Sequence, residues 1–231
     1  RYGYDPSIYR TESIVDLVKQ HRNGGDIFPE SIDVVVGGFP CQDFSVAGKR
    51  KGFNSMRTHD GKLRADDLPT EETRGKLYYW MKEVIDITKP KIFIAENVKG
   101  LVNMGQVKDI IQADFSQADG NGYIVLSPQV LHAGNYGVPE SRERVIFIGI
   151  RKDALKEEIA QILKNDLIPN HLNPYPQPTH NCTLNDETLA TPVVLCDVLK
   201  QLKEPKESFD PSQRFYSKAK YMGAHCQGQK E

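Results

Sequence analysis

Two short β-branched runs with a helix-periodic stretch between them leave this chain few architectures. Ile32-Asp33-Val34-Val35-Val36 runs into Gly37-Gly38, and Lys91-Ile92-Phe93-Ile94-Ala95 runs into Glu96-Asn97. Apolar runs of this length without clean alternation predict strands buried on both faces, the habit of parallel sheets. Residues 77–88 repeat their apolar side chains at helical spacing until Lys89-Pro90 stops them. The pattern predicts a second helix over 107–115 and further strands over 123–130 and 145–150. Strand and helix alternating at this pace give an α/β fold with helical crossovers, whose chemistry gathers at the carboxyl ends of the strands.

Composition removes several classes of function. Hydrophobic residues make up 39% and charged residues 26%, as in ordinary globular chains, which excludes a fully disordered, collagenous or disulfide-scaffolded protein. No run of about 18 uncharged apolar residues exists to span a bilayer. The formal charge is -1, so nucleic acid must be met by a local basic patch. The four cysteines, Cys41, Cys182, Cys196 and Cys226, show neither CxxC nor zinc-finger spacing. Cys196, inside Val193-Val194-Leu195-Cys196, reads as a small buried hydrophobe. The chain starts at Arg1 without a signal segment and closes on no recognisable element, so both ends are expected to be cuts. Texture changes near Asn165, where NHLNPYPQPT over 170–179 is rich in proline. The expected organisation is a body over 1–165, a Pro-rich linker over 166–182 and the start of a smaller domain over 183–231.

Three short segments carry chemical potential. In Gly37-Gly38-Phe39-Pro40-Cys41-Gln42-Asp43-Phe44-Ser45, glycines permit a tight turn and proline fixes the path just before a thiol. A cysteine held at such an edge can serve as a nucleophile, or simply be a buried thiol. In Ala95-Glu96-Asn97-Val98 a carboxylate ends an apolar strand, where partial desolvation favours the proton-bearing form; capping the next helix or pairing with an arginine is the plain alternative. In Gly137-Val138-Pro139-Glu140-Ser141-Arg142-Glu143-Arg144 the two arginines share one face of an extended segment. They can clamp a phosphate, a carboxylate or a base edge, or pair with Glu140 and Glu143 on the surface.

Taken in order, these segments resemble the C5-cytosine DNA methyltransferases of bacterial and phage restriction-modification systems. GFPCQDFSVAGKRKGF is similar to their nucleophile motif and mobile loop, and TRGKLYYW over 73–80 to the motif that follows. AENVKGL over 95–101 is similar to their glutamate motif, and NYGVPESRERVIFIG over 135–149 to their arginine motif. Several ordered motifs are far more specific than one. The resemblance implies a Rossmann-like, S-adenosylmethionine-dependent methyltransferase sheet, mostly parallel. It places the family's glycine-rich cofactor loop before Arg1 and its closing Asn motif after Glu231. Glu140 stands where the family commonly has Gln, and residues 55–72 lengthen a gap that is usually short.

The resemblance also implies roles. Cys41 is the covalent nucleophile, Glu96 the proton donor at N3 of cytosine, Arg144 the donor to O2, and Arg142 a support for the thiol and the extruded base. Pro40, Gln42, Ser45, Asn97 and Val98 would line the substrate site. Gly48, Lys49, Arg50 and Lys51 would form the loop on the DNA backbone, although three adjacent basic residues alone read as a solvated loop. Ile14, Pro40 and Leu77 would border the S-adenosylmethionine site, and no metal is required. The expected partner is duplex DNA, with a flipped cytosine. A cognate restriction endonuclease would act in the same system without contact, and the full-length enzyme would be a cytoplasmic monomer. The competing readings are a tRNA cytosine-5 methyltransferase and a non-catalytic, DNA-binding regulatory homologue. Without the glycine-rich turn, residues 1–231 alone are expected to bind the cofactor very weakly, to be inactive, and to expose one edge of the strand at 32–36.

Overall fold

The computed structural model describes residues 8–39, 78–103, 106–120, 122–165 and 167–200. Their elements, in chain order, are α1 (Ile14–Arg22), β1 (Val34–Gly38), α2 (Tyr78–Thr88), β2 (Ile92–Val98), α3 (Val107–Ser116), β3 (Tyr123–Val125), β4 (Gln129–His132), β5 (Glu143–Arg151), α4 (Glu157–Leu163) and α5 (Leu195–Lys200). The sheet has the order β1-β2-β5-β3, with β4 also paired to β5. β1 and β2 are parallel. β5 is antiparallel to β2, β3 and β4, so those three and β1 all point one way and β5 alone is reversed. The fold is therefore α/β with a mostly parallel set of strand directions.

Several boundaries differ from those read in the sequence, each for a local reason. β2 continues through Glu96 and Asn97, because β5 pairs with it as far as Val98. The single strand expected over 123–130 is two strands, broken at Ser127-Pro128, where proline cannot donate to the ladder. β5 begins at Glu143 rather than Val145, which carries Arg144 into the sheet.

β1 departs most from the expectation of a strand buried on both faces. Val35 packs on the main core, but Val34 and Val36 are 49% and 70% exposed. Among the described residues β1 pairs with β2 alone, so one edge and one face lack cover.

Two cores sandwich the sheet. On one face Tyr78, Met81 and Ile85 of α2 and Ile111 and Phe115 of α3 pack on Phe93, Ala95 and Phe147. On the other, Ala160 and Leu163 of α4 pack on Ile124 and Ile148. α1 is held to α2 by Val15, Val18 and Trp80 and by the Arg22–Glu83 ion pair. Tyr175 belongs to the second core at 3% exposure, and its hydroxyl donates to the Ile146 carbonyl at 2.9 Å. The segment expected as a linker over 166–182 is thus, where described, strapped to β5: Tyr136 also donates to the Pro176 carbonyl at 3.3 Å. Cys196 is exposed on α5, beside the exposed Leu195 and Leu199, and is not a core thiol.

Packing at the middle of the sheet depends on Gly149. It pairs with Phe93 across β2 and β5, and a Cβ there would stand 2.0 Å from the Phe93 ring. That ring is fully buried against Phe115 and Tyr123 and has nowhere to go. Gly149→Ala should cost about 1–3 kcal/mol, the usual size of overpacking, read as a lowered urea midpoint. Tyr175→Phe should cost about 1 kcal/mol for its lost hydrogen bond, against about 3–5 for Tyr175→Ala, which also leaves a cavity. Equal losses for the two Tyr175 variants would show that the ring is not core.

Candidate active site at the carboxyl ends of β1 and β2

The parallel pairing of β1 and β2 sets Gly38 opposite Glu96 at the sheet's carboxyl end. Glu96 reaches over that position: a Cβ on Gly38 would lie 3.2 Å from its Oε2. Glycine thus leaves the room in which this carboxyl sits. The chain then proceeds to Phe39, which is 7% exposed. Pro40, Cys41, Gln42, Ser45, Gly48, Lys49, Arg50, Lys51 and Leu77 lie outside the described residues, as do 55–72.

The reversed direction of β5 supplies the arginines. Glu96 pairs with Ile146, so Arg144, two residues away, shares its face of the sheet. Arg144 Nε stands 2.7 Å from Glu96 Oε1, and Arg142 Nη2 stands 3.9 Å from the same atom. Both arginines named from the sequence therefore converge on the glutamate named from the sequence. Arg144 also donates from Nη1 to the Glu143 carbonyl at 2.8 Å, which fixes the guanidinium plane. Among the described residues its Nη2 is left with donor capacity for a ligand. Glu143 turns to the other side and pairs with Lys99 at 2.7 Å.

Glu96 is partly withdrawn from water, with its side chain 38% exposed at a polar strand end, and is paired with the arginines that the neighbouring strand delivers. One sequence expectation changes here. Asn97 is not open to a ligand. It is 1% exposed, its Nδ2 donates to the Phe39 carbonyl at 3.1 Å and its Oδ1 accepts from Val98 N–H at 2.8 Å. Val98 is half-buried and packs on the main core.

Beside this cluster is a cavity of about 430 Å³, bordered by Ser13, Ile14, Val36, Gly37, Gly38 and Phe39, with Met81 and Val84 at its floor. Among the described residues its lining is mostly apolar and holds no ionisable side chain, so it suits a flat aromatic ring or a methylene chain. Ile14, named from the sequence, stands in that lining; Val36, Phe39 and Met81 were not named. No local sequence signal marks them, because their place in the lining depends on how α1 and α2 sit against β1. Among the described residues, no group of three or more His, Cys, Asp or Glu is placed to hold a metal ion. No helix among them is long and apolar enough to cross a membrane.

The Glu96–Arg144 pair is partly exposed, and such pairs contribute little to stability. Arg144→Ala should therefore lower stability by about 1 kcal/mol or less in a thermal melt. A loss several times larger would assign the arginine to the scaffold rather than to the site.

Comparison with known proteins places this geometry. The family of C-5 cytosine-specific DNA methylases matches residues 7–231. The type II methyltransferase M.Sau96I of Staphylococcus aureus is 39% identical over 138 residues, covering 59% of this chain and 27% of that protein. M.HpaII of Haemophilus parainfluenzae is 38% identical over 124 residues, covering 54% and 30%. M.FnuDI of Fusobacterium nucleatum is 40% identical over 159 residues, covering 65% and 39%. The chain spans less than two fifths of the length of these relatives.

Proposed function

The chain belongs to the C-5 cytosine-specific DNA methylase family, and from that membership we propose that it carries the catalytic centre of a DNA (cytosine-5-)-methyltransferase of the restriction-modification type. The observation that carries this reading is the convergence of Arg144 and Arg142 on Glu96, beside the strand end that leads into Phe39-Pro40-Cys41.

The chemistry follows from the difficulty of the substrate. C5 of cytosine is a weak nucleophile. The Cys41 thiolate adds to C6, forming a C–S bond and moving an electron pair through the ring onto C5, N3 and O2. Glu96, in its protonated form, hydrogen-bonds N3 and relieves the charge there. Arg144 offers the donors not used by Glu96 and Glu143 to O2. Arg142, at the rim, holds positive charge where the thiolate and the extruded base meet. S-Adenosylmethionine, when bound, supplies an electrophilic methyl group, and the electron-rich C5 takes it. A base then removes the C5 proton, the ring electrons return, and the C–S bond breaks to release the thiolate of Cys41.

The apolar cavity suits the purine and methylene parts of that cofactor, with Ile14 and Phe39 in its lining; Pro40 and Leu77 are assigned to the same site on their motifs alone. Duplex DNA is the substrate, with Lys49, Arg50 and Lys51 on its phosphates while the cytosine is out of the stack. Gln42 and Ser45 contact the base or its sugar. Residues from 183 onward begin the part that reads the target sequence. A bacterial or phage cytoplasm, monomeric action and a cognate endonuclease acting separately complete the reading. The family's description favours DNA over a tRNA substrate, and the presence of Cys41, Glu96, Arg142 and Arg144 together favours an enzyme over a regulatory homologue.

Two substitutions test this, made in a protein that carries this chain and methylates DNA. Cys41→Ser should abolish transfer of labelled methyl groups while a gel-shift assay still shows DNA binding, because a serine hydroxyl is hardly ionised near neutrality. Glu96→Gln should keep the fold and slow transfer about 10²-fold or more, since the amide can donate to N3 but cannot give up a proton. Turnover by Cys41→Ser near the parent rate would remove the covalent role. An unchanged rate for Glu96→Gln would leave that carboxylate only structural.

A further inference from the structure

We infer that Asn97 is a positioning residue for the nucleophile: its side-chain amide ties the carboxyl end of β2 to the Phe39 carbonyl and so fixes where the chain toward Cys41 leaves the sheet. This rests on the proposed methyltransferase reading and departs from the substrate-lining role that the sequence suggested for Asn97.

Glu96 and Asn97 are neighbours on β2, so their side chains point to opposite faces. Glu96 goes to the cleft and meets the arginines. Asn97 goes inward, at 1% exposure, where every polar atom needs a partner. It has them. Nδ2 donates to Phe39 O at 3.1 Å, and Oδ1 accepts from Val98 N–H at 2.8 Å. The second bond sets which way the amide faces, because only the oxygen can accept from Val98. The NH₂ end is then directed at Phe39.

The anchored carbonyl matters because of where it stands. The β1–β2 pairing ends at Gly38 and Glu96. Among the described residues the ladder goes no further, and Cys41 is two residues past Phe39 in sequence. The Asn97 bond extends the connection between the strands by one residue past the ladder. One residue thus couples two distances: the acid is its chain neighbour, and the nucleophile's strand is its hydrogen-bond partner. Reactions that need two groups on one ring are sensitive to such placement, and a misplacement of about 1 Å can cost about 10²-fold.

The test compares Asn97→Asp and Asn97→Ala with the parent, in a protein carrying this chain that methylates DNA. Asn97→Asp keeps the shape and the acceptor for Val98 but donates to Phe39 only when its carboxyl is protonated. The expected result is a kcat lowered by about 10²-fold near neutral pH, with the KM for DNA within about threefold. For Asn97→Asp the deficit relative to the parent should shrink as pH falls, while Asn97→Ala shows no such recovery. A raised KM with unchanged kcat would overturn the inference and restore a substrate contact. A deficit in Asn97→Asp that does not vary with pH would overturn it too, as would Asn97→Asp failing to fold at low pH, which would make the bond purely structural. A parent that methylates something other than cytosine would remove the underlying reading itself, and this inference with it. Normal parent activity with an unaffected Asn97→Asp would remove this inference alone.

Discussion

The reversed strand β5 is the constraint on which the rest of the site depends. A sheet of purely parallel strands would bring only carboxyl ends to the catalytic edge. Setting one antiparallel strand against β2 brings an amino end there as well, carrying Arg142, Glu143 and Arg144. Register then does the selecting. With Glu96 opposite Ile146, Arg144 falls on the glutamate's face and Glu143 on the other. A slip by one residue would exchange them and set Glu143 against Glu96, a pair of like charges. Register here is held by Phe93 over Gly149, a contact that no other residue at 149 would permit without movement.

Charge and burial are divided cleanly around this edge. The face of β2 that carries Phe93, Ala95 and Asn97 is buried, and its one polar group is fully bonded. The opposite face packs under α4 around Ile148 and opens only at the strand end, where Glu96 is 38% exposed with cationic partners. In the proposed reaction the chemistry would lie on that side while the other supplies rigidity, the arrangement in which a positioned acid can act without reorganising its surroundings. The apolar cavity by β1 continues the same edge, so a methyl donor seated there would lie beside the strand end that leads to Cys41.

Much of this was legible from residue order. The helix stopped by Lys89-Pro90 and the paired arginines appear where their patterns place them, and the two β-branched runs form strands displaced toward their carboxyl ends, β1 taking in Gly37-Gly38 and β2 reaching Val98. Other features could not be read locally. The exposure of Val36 depends on what lies beside β1, not on Val36 itself. The break at Ser127-Pro128 was visible as a proline, but not that both halves would pair with the same strand. That Glu96 ends an apolar strand was visible, but not that the reversed β5 would bring both arginines to it. Tyr175 was hidden in a proline-rich stretch whose composition says linker, although one aromatic residue with a reachable carbonyl is enough to pin it to the core. Asn97 shows the same limit: a polar residue in a functional motif invites a ligand role, and only its hydrogen-bond partners reveal an inward one.

The central claim is that Cys41 forms a covalent bond to C6 of a cytosine held by Glu96 and Arg144. Its most direct test is mass spectrometry of a protein carrying this chain after reaction with DNA containing 5-fluorocytosine, in the presence of S-adenosylmethionine. Fluorine at C5 cannot be removed as a proton is, so the final elimination fails and the adduct persists. The account predicts a stable protein–DNA adduct whose modified peptide contains Cys41. The absence of any adduct on a substrate that is methylated when it carries ordinary cytosine, or attachment through Cys182 or Cys196 instead, would contradict it.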